Sequence, residues 1–432
     1  MKIGLLVFPT LYDTHSEQSA ASDLGQRLEP SILSLVSRRP GDETVFVEDN
    51  RPREDIDLYL CSVYTRGWQE FTQFAARVGR DKIIAGGYHP TARPRETLVH
   101  AGTVVTGLCG NIEEILEKHP AGILAGKSEH RLMDRSLIKR SDMRQIYPDA
   151  MPGMMVGSSV SSVGCPYDCD FCATPLMSGR RMNAFPRDLI AKDIEDLRRE
   201  NTQVLFVRDE SFATHPDFDE VVSLYGSAGF DVLYSFGTAA AMTEKKVRHL
   251  AKNNWHSVCL GMEDVGKFYK KNAKLQEACD RCNDFGVGVT LSFIVNDKEH
   301  VARRDILEHY KALTTAFFAL RPIMVCANFF MPLPGTVLGA KYASFESPEF
   351  WARFDSKTPL FTSGATQDLH RLLAVLVQIN WYRSKAYAGL RDFEKGDTLH
   401  LRMLELEDAF LGDASLGGLL SAEERDFVCS PE

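Results

Sequence analysis

The 432-residue chain contains no run of about 18 apolar residues, so no membrane-spanning helix is expected. It also lacks an excess of basic charge: 50 Lys and Arg stand against 59 Asp and Glu, for a net charge of −9. Without a basic stripe, coating of nucleic acid or docking on an anionic membrane is not the expected role. No internal repeat and no low-complexity tract is present, which excludes an array of repeated units. Hydrophobic content of 44% and charged content of 25% are ordinary for a soluble globular protein. Met1-Lys2-Ile3 runs straight into a short apolar strand, without the h-region or small-residue cleavage site of a secretory signal. Ten cysteines, three of them clustered, suit a reducing cytoplasm better than a disulfide framework. At this length two or three domains are expected.

The chemistry is concentrated at Cys165-Pro-Tyr-Asp-Cys169-Asp-Phe-Cys172. Three thiolates on one tight loop can hold three irons of a [4Fe–4S] cube and leave the fourth iron without a protein ligand. Such an iron can bind and reduce a small molecule. A zinc site would want a fourth ligand, usually from a second C-x2-C pair at matching spacing, and none lies nearby. Gly164 before the motif and the polar run after it fit an exposed loop.

The first 120 residues alternate strand and helix patterns. Ile3–Phe8, Thr44–Val47, Leu58–Val63, Ile83–Ile84 and Thr103–Val105 read as strands. Helices are expected around Leu28–Ser37, through Phe71, Phe74, Ala75 and Val78, and over Ile112–Glu117. This alternation predicts a doubly wound parallel sheet over residues 1–120, with ligands outside the carboxyl ends of its strands. Residues 121–156, ending in Pro148, Met151, Pro152, Gly153, Met154 and Met155, read as a linker. A second α/β region follows over 157–340, with strands at Val204–Val207, Val232–Phe236, Val258–Gly261, Val287–Val295 and Met324–Phe330. Leu189, Asp193, Ile194 and Leu197 mark a helix that starts at Pro186. Repeated β–α units predict a full or partial (β/α) barrel with its active site at the carboxyl ends. Residues 341–432 read as mainly helical, with Leu372, Leu373, Leu376 and Ile379 at helical spacing.

C-x3-C-x2-C with an aromatic residue, Phe171, just before the last cysteine is the signature of radical S-adenosylmethionine (SAM) enzymes, which residues 157–340 resemble. The resemblance implies that Cys165, Cys169 and Cys172 bind a [4Fe–4S] cluster and that the open iron chelates SAM. One electron then cleaves SAM to a deoxyadenosyl radical, which abstracts a substrate hydrogen. Val207-Arg-Asp-Glu-Ser-Phe212 ends a strand that in the family contacts the SAM amino group; Asp209 or Glu210 would do so here, although the family's glycine pair is absent. Leu260-Gly-Met-Glu-Asp264 is similar to the family's G-x-E strand end, which puts Glu263 near the ribose or the substrate. Ser235 is a further ribose candidate, and Pro332-Leu-Pro-Gly-Thr336 resembles a family loop that reads here as a rigid turn.

Gly86-Gly87-Tyr88-His89-Pro90-Thr91 resembles the GG-x-HPT turn of the cobalamin-binding branch, whose domain order also matches. That implies cobalamin contacts at Gly86, Gly87, Tyr88, His89 and Thr91, with the glycines letting the backbone approach a flat cofactor. His89 is expected to be structural rather than a cobalt ligand. Asp13-Thr-His15 is followed by Gln18 where D-x-H-x-x-G needs glycine, so no lower axial histidine is expected. Gly107-Leu-Cys-Gly110 departs from the branch's acidic G-E-G-E run.

Among the other cysteines, Cys279 and Cys282 share a helical stripe with Leu275, Ala278 and Phe285 and are expected in the core. Cys61, Cys259 and Cys326 lie in expected strands, and Cys326, with Glu263, is a candidate catalytic group. Trp381-Tyr-Arg-Ser-Lys385 reads as an amphipathic helix whose basic side is solvated, with a cap over an anionic or planar substrate as the alternative. The resemblance implies a small-molecule substrate, an electron donor such as flavodoxin or ferredoxin, and C-methylation in specialised metabolism. A cobalamin-independent or non-methylating rearrangement, ring formation or contraction, or oxidation is the alternative, and an iron–sulfur sensor or scaffold a third.

Overall fold

The computed structural model describes residues 1–8, 35–47, 49–137, 155–263, 273–390 and 418–431. Most of the expected helix at Leu28–Ser37, the Asp13–Gln18 segment, Asp264 and the Pro148–Met154 run lie outside these residues. Two compact units are present: Met1–Asp217 with Pro332–Asp355, and Phe218–Met331 with Ser356–Glu432.

In the first unit, β1 (Lys2–Phe8), β2 (Glu43–Phe46), β3 (Leu58–Val63), β4 (Ile83–Gly86), β5 (Thr103–Thr106) and β6 (Gly122–Ala125) form one sheet in the order β2-β1-β3-β4-β5-β6. Every pairing in it is parallel. Leu5, Leu6, Val7 and Phe8 are all buried, as expected for a strand covered on both faces. Trp68, Phe71, Phe74 and Ala75 form the buried stripe of helix Trp68–Val78. Phe8 meets Phe71 and Phe74 at centroid distances of 5.5 and 5.4 Å. The strand order reverses between β1 and β3, and in such sheets the crevice at that point receives ligands.

The unit continues with β7 (Val156–Ser159), a short antiparallel ribbon of β8 (Ser162–Val163) and β9 (Asn183–Ala184), and β10 (Val204–Val207), which pairs in parallel with β7. Helix Arg187–Arg199 lies between β9 and β10 and buries Ile190, Asp193, Ile194 and Leu197, so Ile190 takes the place expected for Leu189. Asp193 is buried as an ion pair with Arg135 at 2.6 Å, and Ser159 Oγ also donates to it at 2.6 Å. The pair fastens the helix to the β7 end, because either charge left alone in the interior would be costly.

In the second unit, β11 (Val232–Gly237), β12 (Ser257–Glu263), β13 (Gly288–Val295) and β14 (Met324–Phe329) lie side by side and parallel. A helix precedes or follows each, including Glu244–Lys252, Ala273–Asp284 and Arg303–Leu320. Phe293 of β13 packs on Phe317 of the last of these at 5.5 Å. Helix Gly364–Arg383 covers β14, burying Leu372, Leu373, Leu376 and Ile379. The Val325 N–H donates to Tyr382 Oη at 2.8 Å, and Trp381 Nε1 donates to the Pro322 carbonyl at 3.0 Å. Trp381 and Tyr382 are therefore core residues rather than a cap over substrate. Leu275, Ala278, Cys279 and Cys282 are all 0% exposed, as their stripe requires, whereas Phe285 lies just past the helix end and is half-buried.

Candidate metal centre and active site

The cysteine loop is carried by the ribbon, with Ser162 opposite Ala184 and Val163 opposite Asn183. Gly164 opens the loop at φ +95°, and a Cβ there would stand 2.0 Å from the Arg181 carbonyl oxygen, so only glycine fits. Cys172 N–H donates to the Cys169 carbonyl at 3.0 Å, and the next turn becomes helix Thr174–Ser178. Arg180 pairs with Asp168 across the loop. Cys169 is exposed and Cys165 and Cys172 are half-buried, unlike the core cysteines Cys61, Cys279 and Cys282. Burial pushes the Cys165 thiol up, and the neighbouring Cys172 and Glu210 charges add to this. Each of the ten cysteines is a thiol rather than half of a disulfide.

Among the described residues, no group of three or more His, Cys, Asp or Glu could hold a single metal ion. An iron–sulfur cube does not ask for that, because each thiolate takes a different iron. Accessible thiols on one loop, with negative neighbours that a cationic group would offset, fit such a cluster.

The two carboxylates after β10 have separate environments. Asp209 is 0% exposed and accepts from Ser161 N at 2.7 Å, from Ser161 Oγ at 2.7 Å and from Ser162 Oγ. His215 Nδ1 accepts from the Asp217 N–H at 3.0 Å, so its Nε2 donates to the Ser161 carbonyl. Asp209 is thus an internal brace at the β7–β8 junction. Glu210 accepts from the Gly164 N–H at 2.9 Å at the mouth of the cysteine loop. Lost hydration raises its pKa, and the Asp209 charge adds to this.

Most polar groups of the Gly86–Thr91 turn are engaged, but His89 Nε2 is buried without a hydrogen-bond partner. Gly87 has φ +95°, and the space of a missing Cβ is closed by Ser62 and Val63 of β3 at 3.1 Å. The close approach that glycine permits here is to the sheet itself, not to an open cradle. The Tyr88 hydroxyl donates to the Pro334 carbonyl at 2.5 Å. His89 is 0% exposed, stacked on Trp68 at 4.3 Å and edge-on to Trp351 at 5.0 Å. Burial lowers its pKa to about 3. Thr91 Oγ1 donates to the Gly87 carbonyl at 2.7 Å and accepts from Gly107 N–H at 2.9 Å. His89 does not fit a cobalt ligand in this arrangement; the turn's side chains shape the turn.

In the second unit the strand registers sort the remaining candidates onto two faces. Ser235, Val258, Leu260, Leu291 and Phe293 lie on the buried face, and Ser235 Oγ accepts from Trp255 Nε1 at 3.1 Å. Gly261, Ser292 and Cys326 are in register with one another on the opposite face and are all half-exposed. Asn328 shares that face and donates to Ser292 Oγ at 3.2 Å. The polar residues Ser292 and Asn328 were missed in the sequence; the period-2 runs Thr290-x-Ser292 and Cys326-x-Asn328 could have found them. At the carboxyl end of β12 the register shifts between Gly261 and Glu263, and Glu263 takes φ 57°. Its Oε1 lies where a Cβ on Gly261 would be, 2.3 Å away. Lost hydration raises the Glu263 pKa to about 7.

No protein-family model and no curated protein matches the sequence. Solved structures do match. The radical S-adenosylmethionine methyltransferase TsrM from Kitasatospora setae, solved with cobalamin and a [4Fe–4S] cluster, is 13% identical, with a TM-score of 0.54 over 79% of this chain and 78% of that one. The cobalamin-dependent SAM radical enzyme OxsB, solved with aqua-cobalamin and SAM, is 12% identical, with a TM-score of 0.53 over 99% and 78%. This chain has the fold of the cobalamin-dependent radical SAM enzymes. The expected α/β architecture, a doubly wound sheet followed by β–α units, is therefore the observed one. Among the described residues no helix is long and apolar enough to cross a membrane.

Proposed function

We propose that this protein is a radical SAM enzyme that abstracts hydrogen from a small molecule, with cobalamin as second cofactor and C-methylation as the reaction. The observation that carries the reading is the accessible cysteine loop at the carboxyl side of β7, in a chain with this fold. Cys165, Cys169 and Cys172 would hold the cluster, with Phe171 beside them. When bound, the cluster supplies an electron to cleave SAM, and cobalamin carries a methyl group. Glu210 orients the loop through Gly164 N–H and has a second oxygen for the SAM amino group. Glu263, with a pKa of about 7, holds or releases a proton at the strand end near neutral pH. Glu210 replaces Asp209, and Ser235 is set aside, because the polar atoms of Asp209 and Ser235 are already engaged. Ser292, Cys326 and Asn328 offer a polar face to substrate.

In the same reading residues 1–120 receive the corrin at the carboxyl edge of the first sheet, with no cobalt ligand from His89. The link expected at 121–156 begins after β6, because Gly122–Ala125 belongs to the first sheet; it leads to a catalytic region at 157–340, and 341–432 support it. An electron donor such as flavodoxin or ferredoxin and a cytoplasmic setting belong to this proposal. Anaerobic reconstitution with iron, sulfide and hydroxocobalamin, then metal analysis, tests it. About four irons and one cobalt per chain support it. Four irons without cobalt leave a cobalamin-free radical reaction, and no iron removes the reading.

A further inference from the structure

We propose that residues 332–339 form a clamp that sets the position of the cysteine loop, with Tyr88 as its positioning residue. The inference rests on the proposed cluster. Two contacts of this segment flank Cys172. The Leu338 N–H donates to the Asp170 carbonyl at 2.8 Å on one side. On the other, Gly335 at φ +81° lies against Leu176: a Cβ there would be 2.9 Å from Leu176 Cδ2 and 3.3 Å from Ala92 Cβ. Helix Tyr88–Ala92 packs directly on helix Thr174–Ser178, so Gly335 is wedged where the two helices meet.

Tyr88 closes the arrangement. Its hydroxyl holds the Pro334 carbonyl, one residue before the wedge, and its side chain is 7% exposed. The proline-flanked segment has little backbone freedom of its own. A lost tyrosine bond would leave a buried carbonyl unpaired and the wedge free to shift, and the loop on both sides of Cys172 would follow. Tyr88 touches neither substrate nor the reacting atoms in this account; it acts through Pro334.

The test uses the full-length reconstituted protein, a ferrous chelator and the electron paramagnetic resonance spectrum of the reduced cluster with and without SAM. Tyr88→Phe keeps the ring and removes only the hydroxyl. Iron release should speed up about fivefold to tenfold, as expected when a buried acceptor loses its donor, and the SAM-induced spectral change should differ from the native one. Arg93→Gln removes the Arg93–Glu346 pair, which lies beyond residues 332–339, and should alter neither readout. Leu176→Ala removes the other side of the wedge and should act as Tyr88→Phe does, which keeps the test open should Tyr88→Phe misfold. Native release and spectra in both variants overturn the clamp while leaving the cluster intact. Absence of iron from the native protein overturns both.

Discussion

The carboxylate of Glu263 lies over the Cα of Gly261, in the space that any side chain at 261 would take. The bulge at the end of β12 and the positive φ of Glu263 turn this side chain back along its own strand. A Gly-x-Glu spacing is thus a steric requirement here: the first residue must have no Cβ for the third to sit as it does.

Gly261→Ala should displace Glu263 without unfolding the protein, because the conflicting atom is the far end of a flexible side chain. We expect a stability change below about 1 kcal/mol and a loss of SAM cleavage of about tenfold or more. Thermal melts and product analysis of the reconstituted variant check this; native turnover would remove Glu263 from the site.

Glu263 also sets a pH dependence. Lost hydration lifts its folded pKa to about 7, while the unfolded chain releases that proton near the ordinary glutamate range of about 4.3. Between these values the folded state binds more protons, so its stability relative to Glu263→Gln falls as pH rises and levels off above about 7. Denaturant titrations of both apo proteins from pH 5 to 8, on the order of one unit apart, would show parallel curves if the carboxyl were hydrated normally.

Asp209 and Glu210 are adjacent but should respond oppositely. Asp209→Asn sets an amide donor against Ser161 and Ser162 and should cost about 1–3 kcal/mol of stability. Glu210→Gln should leave stability within about 0.5 kcal/mol and weaken SAM binding instead. Melting temperatures and SAM titrations separate the two; equal losses of stability would make Glu210 a second brace.

Cysteine substitutions should divide by location. Cys165→Ala, Cys169→Ala and Cys172→Ala together should abolish iron binding. Cys279→Ser with Cys282→Ser should retain it and lower stability, because hydroxyls replace thiols at positions 0% exposed. Iron retained in the first variant, or lost in a folded second one, would reassign the metal centre.

His89→Phe keeps an aromatic ring between Trp68 and Trp351 but no ring nitrogen. Reconstituted with hydroxocobalamin, it should show the native corrin absorption bands. A shift of those bands would make His89 a cobalt ligand after all.

Much of the fold was legible in the chain. Apolar runs such as Ile3–Phe8 and Leu58–Val63 can be strands only where both faces are covered, and the structure has them at the centre of a parallel sheet. The stripe of Leu275, Ala278, Cys279 and Cys282 separated core cysteines from the loop cysteines without any coordinates. Strand β6 was hidden because Gly122–Ala125 is a short edge strand with alternating burial and only two strong apolar residues.

By itself the sequence determined the alternation of strands and helices, the cluster of three thiols on one loop, and the glycines that its turns require. All are local properties, set by periodicity, ligand spacing and backbone freedom over a few residues. Only the tertiary structure decided that Asp209 is a brace and Glu210 is not, that Ser235 faces away from Cys326, and that His89 is enclosed by Trp68 and Trp351. Those depend on which distant groups arrive at a side chain first. Tyr88 and Pro334, 246 residues apart, meet through a single hydrogen bond that no local pattern encodes.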